Sequence, residues 1–307
     1  METDPHSHST PSCPASGGLI RLQARSARLS TWLGPAWATA CGVVASGGFG
    51  WRGDDWLLLA LLILLVDGGW GALWVALGST DWARPLRRWR HWHFGEPVSE
   101  LPYTLPGSPG DRAAHWLGQL RAWWHDVLWP ACGPAISTVV VALPLTALLA
   151  ALLGTELVLL SLAAVVVMQL GLAWESGRGA VAPGWDAAIA VVLPWMAGHV
   201  AFGPLSLRSA GLSLIFGLAW GAAWRADSPT SRALEIGAQF LAAASLVALR
   251  RPLAAGCLVL LFVPQLVLLP WLQRGQTTSW YVRHTRPWLM AAMLIAAWAL
   301  CAIGMAV

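Results

Sequence analysis

Residues 55–90, DWLLLALLILLVDGGWGALWVALGSTDWARPLRRWR, decide the fold class. From Trp56 to Leu77 nearly every residue is apolar, and the run exceeds the ~20 residues a helix needs to cross a bilayer. It ends in Ser79-Thr80-Asp81-Trp82-Ala83-Arg84-Pro85-Leu86, followed by a basic stretch. Asp67 near its middle and Asp81 at its end lie fourteen residues apart, which is about 40° of helical phase and roughly 21 Å of rise. Both acids therefore look out over one face. An ionised acid at the bilayer midplane costs on the order of 2.5 to 3.5 kcal/mol, so Asp67 is expected to be protonated, paired or functional.

The rest of the chain agrees with that stretch. With 57% hydrophobic residues, 11% charged and a mean hydropathy of +0.59, it is more apolar than soluble proteins, which carry roughly 25% charge. This composition reads as a polytopic, all-α membrane protein. Residues 1–18 are rich in Ser, Pro, Thr and His and lack an apolar core of signal-peptide type, so they read as a disordered tail. All 19 basic residues are Arg. Their balance has a membrane explanation before a nucleic-acid one. The chain contains no Asn, which rules out an N-glycosylation sequon. The five cysteines are scattered singly, without the spacing that binds zinc or haem. Trp residues such as Trp32, Trp56, Trp82, Trp129, Trp185, Trp224, Trp271 and Trp288 flank the apolar runs, as interfacial belts do.

Leu19 to Leu33 carries Arg21, Arg25 and Arg28 at helical spacing, the pattern of a basic helix lying in the interface. Spans are then expected at 31–49, 55–79, 130–153, 155–174, 185–202, 208–224, 231–249, 253–272 and 287–306, a nine-helix transmembrane bundle occupying 19–307. The tight turns Gly154-Thr155-Glu156 and Arg250-Arg251-Pro252 predict two antiparallel hairpins. With a cytoplasmic N-terminus, fifteen of the Arg residues fall on the cytoplasmic side and four on the other. The positive-inside rule therefore puts the C-terminus outside. The one long loop, 80–129, is expected to be cytoplasmic. Within it, 112–127 sets Ala113, Trp116, Leu117, Leu120, Trp123, Trp124 and Val127 at helical spacing, an amphipathic helix expected to lie on the membrane surface or to dock on a partner subunit.

Several stretches together resemble the UbiA-type intramembrane prenyltransferase superfamily. They are Arg28-Leu29-Ser30-Thr31 at the entry to the first span, Gly184-Trp185-Asp186 opening the fifth, Trp224-Arg225-Ala226-Asp227 closing the sixth, and the arrangement of the last three. The resemblance covers Arg28 to the C-terminus. It implies a UbiA-like nine-helix bundle that moves a polyprenyl group from its diphosphate to a quinone, tetrapyrrole or lipid acceptor. It further implies Mg2+ held by two acidic motifs, one ending the second span and one following the sixth. Clustered carboxylates suit that task because magnesium takes hard oxygen ligands and bridges to phosphate.

Both motifs are eroded here. Asp81 alone remains of the first and Asp227 of the second, which makes these two the metal candidates. Arg84, Arg87, Arg225 and Arg232 are the candidates to bind a diphosphate directly, since Arg matches phosphate oxygens in a bidentate way. Asp67 and His199 are the cavity-lining candidates. The alternative implied by the eroded motifs is a non-catalytic subunit, or a lipid- or cofactor-binding scaffold of a larger membrane complex. His91 and His93, with Glu96 and Glu100 near them, read as a solvated loop, and Asp186 as a charge matching a helix N-terminus.

Overall fold

Among the described residues, apolar runs bounded by Gly, Pro and Ser fold into helices alone. The computed structural model describes residues 29–78, 80, 82, 107–175 and 183–304. The tail 1–18, Arg28, Asp81, Arg84, Arg87, His91 and His93 lie outside the described residues. Among the described residues the chain forms nine helical rods: α1 (Leu29–Ser46), α2 (Gly53–Gly78), α3 (Pro109–Leu153), α4 (Thr155–Glu175), α5 (183–202), α6 (Leu207–Ala223), α7 (Pro229–Ala248), α8 (Pro252–Gln273) and α9 (Thr278–Gly304). Six of them, α2 to α5, α8 and α9, contain stretches long and apolar enough to cross a membrane, and α6 is a shorter apolar helix. The protein is a polytopic helical membrane protein.

Local chemistry sets the ends of the rods. Ser206 and Ser228 cap α6 and α7 by accepting from the backbone N–H groups of Ser209 and Ser231 at 3.2 and 3.1 Å, and Pro229 and Pro252 occupy first-turn positions where no N–H is needed. The two expected hairpins are present. Gly154, with φ 130°, breaks the chain between α3 and α4, and Arg250, with φ 60°, turns it between α7 and α8. Arg251 then reaches across to the C-terminal end of α9, donating from Nη2 to the Ala302 carbonyl at 2.7 Å.

One expectation changes. The amphipathic segment does not lie as a separate surface helix; it runs directly into the third span as a single rod, with a π-turn at Trp124–Leu128. A π-turn already displaces the i to i−4 ladder, so Pro130, which has no N–H to give, is accommodated without a break. Trp116, Leu117 and Trp124 are exposed on this rod, while Trp123, Val127 and Leu128 pack with Trp82 at its base.

Two apolar cores share the bundle. Leu62, Leu65, Trp70, Leu73, Leu149, Leu157 and Met168 join α2, α3 and α4. Trp195, Phe216, Trp220, Leu246 and Met293 join α5, α6, α7 and α9. α1 and α5 touch backbone to backbone: a Cβ on Gly42 would run into the Trp195 carbonyl, and one on Gly198 into the Thr39 carbonyl. Small residues at such crossings let apolar helices pack where no hydrophobic force drives them together.

Indole N–H groups tie the rods together. Trp37 donates to the Met290 carbonyl at 2.9 Å, Trp70 to Ser161 Oγ at 3.2 Å and Trp195 to Ser209 Oγ at 2.9 Å. These three Trp residues thus serve as struts between helices.

Candidate functional site

At the seam between the two cores, α1, α2, α5, α6 and α9 enclose a cavity of about 120 Å³. It exceeds by several-fold the roughly 10–15 Å³ that one water requires. Each helix contributes through its own periodicity. α2 presents Asp67, Gly71 and Trp74 at intervals of four and three, and α5 presents Asp186, Ile189 and Ala190. α6 and the residue that follows it supply Trp220 and Trp224, four apart; Gly34 and Pro35 come from α1, and Arg286 from α9. Asp67 lies inside the π-helical segment Leu64–Gly71, a local unwinding that is frequent at functional positions.

The polar lining is organised around Arg286, whose side chain is largely buried. Its guanidinium stacks over Trp220 at 4.7 Å and over Trp224 at 5.1 Å. A desolvated cation over an indole face gains about 2 kcal/mol or more. Gly34 admits the Trp220 ring, since a Cβ there would lie 3.3 Å from Cζ2. Opposite, Trp74 Nε1 donates to Asp186 Oδ1 at 3.1 Å and so locks α2 to α5. Asp67, Asp186 and Arg286 all have partners within the bundle. The Nε1–H groups of Trp220 and Trp224 differ from them: both are buried and neither has an acceptor. Buried donors are ordinarily satisfied, so these two mark a place where acceptor oxygens belong. The cavity is thus lined by a guanidinium, two carboxylates and the two indole rings whose buried N–H groups lack acceptors, a lining that suits a polar head carrying both oxygen acceptors and a hydroxyl donor.

The sequence candidates distribute unevenly around this cavity. Asp67 lines it. Asp186, read as a helix-terminal charge, also lines it and holds Trp74. His199 lies elsewhere, near the other end of α5. Its Nε2 pairs with the Pro204 carbonyl at 3.0 Å and its Nδ1 with Ser209 Oγ at 3.1 Å, while Ser209 accepts from Trp195. With the carbonyl as acceptor, Nε2 carries the hydrogen and Nδ1 receives the Ser209 hydroxyl proton. His199 is therefore a packed, satisfied residue rather than a cavity ligand. Arg225 and Asp227 are exposed on the loop that leaves Trp224 at the edge of the cavity. Arg232 stands on the first turns of α7, with Nη2 donating to the Asp227 carbonyl at 3.2 Å.

Trp74, Trp220, Trp224 and Arg286 are the lining residues that sequence reasoning missed. Trp224 was assigned to the interfacial belt. Arg286 was placed just before the last span, but α9 begins at Thr278. The signal was nevertheless present: Arg286 shares a spacing of three or four with the buried Leu289, Met293, Ala296 and Leu300.

Asp81, one of the two metal candidates, lies outside the described residues, and the described cavity holds two carboxylates and a guanidinium. Among the described residues no three His, Cys, Asp or Glu side chains cluster tightly enough to hold a metal. The two carboxylates of the cavity share it with a guanidinium, which supplies the positive charge a metal would otherwise bring. Asp227 points to solvent on its loop. Compared with protein-family models, with curated proteins and with solved structures, the chain matches none of them.

Proposed function

We propose that this chain is an intramembrane protein of the UbiA-like prenyltransferase type that binds the polar head of an isoprenoid-tailed ligand, a quinone or related ring, in the Trp-lined cavity. All nine rods cross the bilayer in this reading, with the N-terminus cytoplasmic and the C-terminus on the opposite side. The distribution of Arg supports that orientation, in which the cavity lies in the cytoplasmic half. The observation that carries the reading is the pair of buried, acceptor-free indole N–H groups of Trp220 and Trp224 beside Arg286 and two carboxylates. A ring carbonyl takes the indole and guanidinium donors, and a ring hydroxyl donates to Asp67 or Asp186. A cavity of about 120 Å³ holds a ring and not a long chain, so the isoprenoid tail lies out among the bilayer lipids.

Prenyl transfer from a diphosphate is the second reading. It is favoured by the loop carrying Arg225 and Asp227, which begins at the Trp224 edge of the cavity. Against it stands the charge of the lining, two carboxylates to one guanidinium, which repels a diphosphate and welcomes a neutral head. A non-catalytic subunit that presents such a ligand to a larger complex uses the same site. The test is equilibrium binding to the purified protein in nanodiscs, with a short-tailed quinone in one arm and a labelled prenyl diphosphate with Mg2+ in the other. Saturable quinone binding that Trp224→Phe weakens supports the first reading. Saturable diphosphate binding lost in Asp81→Ala/Asp227→Ala supports the second. Neither signal refutes both.

A further inference from the structure

A second polar constellation, none of whose residues lines the cavity, lies where α7 faces α8 and α9. Glu235 on α7 is 2% exposed; its Oε1 accepts from the Tyr281 hydroxyl of α9 at 3.1 Å, and its Oε2 has no partner. One turn along α7, Gln239 donates through Nε2 to Oε1 of Gln265 on α8 at 2.5 Å. Gln265 is 1% exposed, and its own Nε2 has no acceptor. One turn before Glu235, Arg232 sends Nη2 to the Asp227 carbonyl at 3.2 Å while its Nε, also buried, has no acceptor. Residues 232, 235 and 239 form one stripe about 10 Å long. Beyond it α7 buries only Ala242, Ala243 and Leu246, so the polar path ends blind within the bundle.

Apolar packing would serve this seam without leaving three polar atoms unmatched; on the proposed reading in which α7 crosses the bilayer, an intramembrane ionisable residue is by default a functional candidate. The three atoms are sealed from solvent, which leaves no space for a lipid head. A proton needs none. We propose that Glu235 is an intramembrane proton-binding site, and that Arg232 is the cation that takes the proton's place when it leaves.

In the protonated form the carbonyl oxygen of the acid accepts from Tyr281, and Oε2 carries the hydrogen. On release the Oε2–H bond breaks, its electron pair stays on the carboxylate, and the proton passes to water at the loop end of α7. Among the described residues, the charged and titratable groups beside Glu235 are Arg232 from its own helix and Tyr281 from α9; α8 contributes the neutral Gln265, and α6 carries a single ionisable residue, Arg208, at its opposite end. The carboxylate then presents an acceptor to the unmatched Arg232 Nε–H, three residues earlier on the same helix. Turning Arg232 toward Glu235 gives up its bond to the Asp227 carbonyl. That carbonyl belongs to the loop leaving Trp224, so the proton site is linked to the edge of the cavity.

The test is difference infrared spectroscopy of the full chain in nanodiscs on either side of neutral pH. A carboxylic-acid C=O band should be present at neutral pH, absent in Glu235→Gln, shifted within minutes by H2O-to-D2O exchange, and lost at alkaline pH. Arg232→Gln should make the band persist to higher pH, because the carboxylate loses its cation. Should Glu235→Gln fail to fold, Tyr281→Phe must still move the band to higher frequency by removing the donor to the carbonyl. Matching wild-type and Glu235→Gln spectra, a band indifferent to D2O, or one unmoved in Tyr281→Phe would each overturn the proposal.

Discussion

Gly42→Ala tests the bundle at the place where its helices approach most closely. The added Cβ would overlap the Trp195 carbonyl oxygen and come within 3.0 Å of the His199 nitrogen. These are backbone atoms of a helix, which cannot rotate aside as a side chain can, so α1 and α5 must part by on the order of 1 Å. Overpacking of this kind costs about 1 to 3 kcal/mol. A central value of about 2 kcal/mol raises the population of locally opened molecules roughly 30-fold. Cys41, the residue before Gly42, reports that opening directly because it is 0% exposed in the closed bundle, whereas Cys257 is exposed from the start. Under pseudo-first-order alkylation in mild detergent, the Cys41 rate should rise by about that factor in Gly42→Ala, with the Cys257 rate unchanged. A Cys41 rate within twofold of wild type would refute the backbone contact between α1 and α5.

The remaining predictions probe the hydrogen bonds and the cavity. His199→Phe leaves the Ser209 hydroxyl and the Pro204 carbonyl without their partner, so thermal unfolding in detergent should show a loss of about 2 kcal/mol, with quinone binding unchanged in the fraction that stays folded. Trp70→Phe removes one buried bond to Ser161 and should cost about 1 kcal/mol in the same measurement. Trp220→Phe and Trp224→Phe keep a ring under Arg286 but remove an indole donor, so each should weaken binding of a short-tailed quinone about tenfold, read by titration in nanodiscs. Arg286→Met takes away the stacked cation, and the double-ring contact makes it the most damaging single change in the cavity; yield and unfolding temperature should both fall.

The helices were legible because composition, span length and turn residues act locally. Gly154 and Arg250-Arg251-Pro252 announced their hairpins through backbone chemistry alone. Asp67 stood out because an acid in the middle of an apolar helix must be protonated, paired or functional, and it lines the cavity with a partner in the bundle. Arg286 and the Trp pair beneath it could not, since a tryptophan near the end of a span looks the same whether it faces lipid or a guanidinium on a distant helix. The fusion of the amphipathic segment with α3 was hidden by Pro130, which reads as a break unless a π-turn precedes it. The partners that satisfy His199, Pro204 and Ser209, lie five and ten residues further on, across a helix end, where spacing does not reveal them.

The most direct measurement is photoaffinity labelling of the protein in nanodiscs with a short-tailed isoprenoid quinone bearing a diazirine on its ring, with cross-links located by peptide mass spectrometry. The account predicts adducts within 66–74 of α2, 186–190 of α5 and 220–224 at the end of α6, competed away by unlabelled quinone. Labelling confined to outward-facing positions such as Leu152, Leu253 and Leu260, and indifferent to competitor, would contradict it.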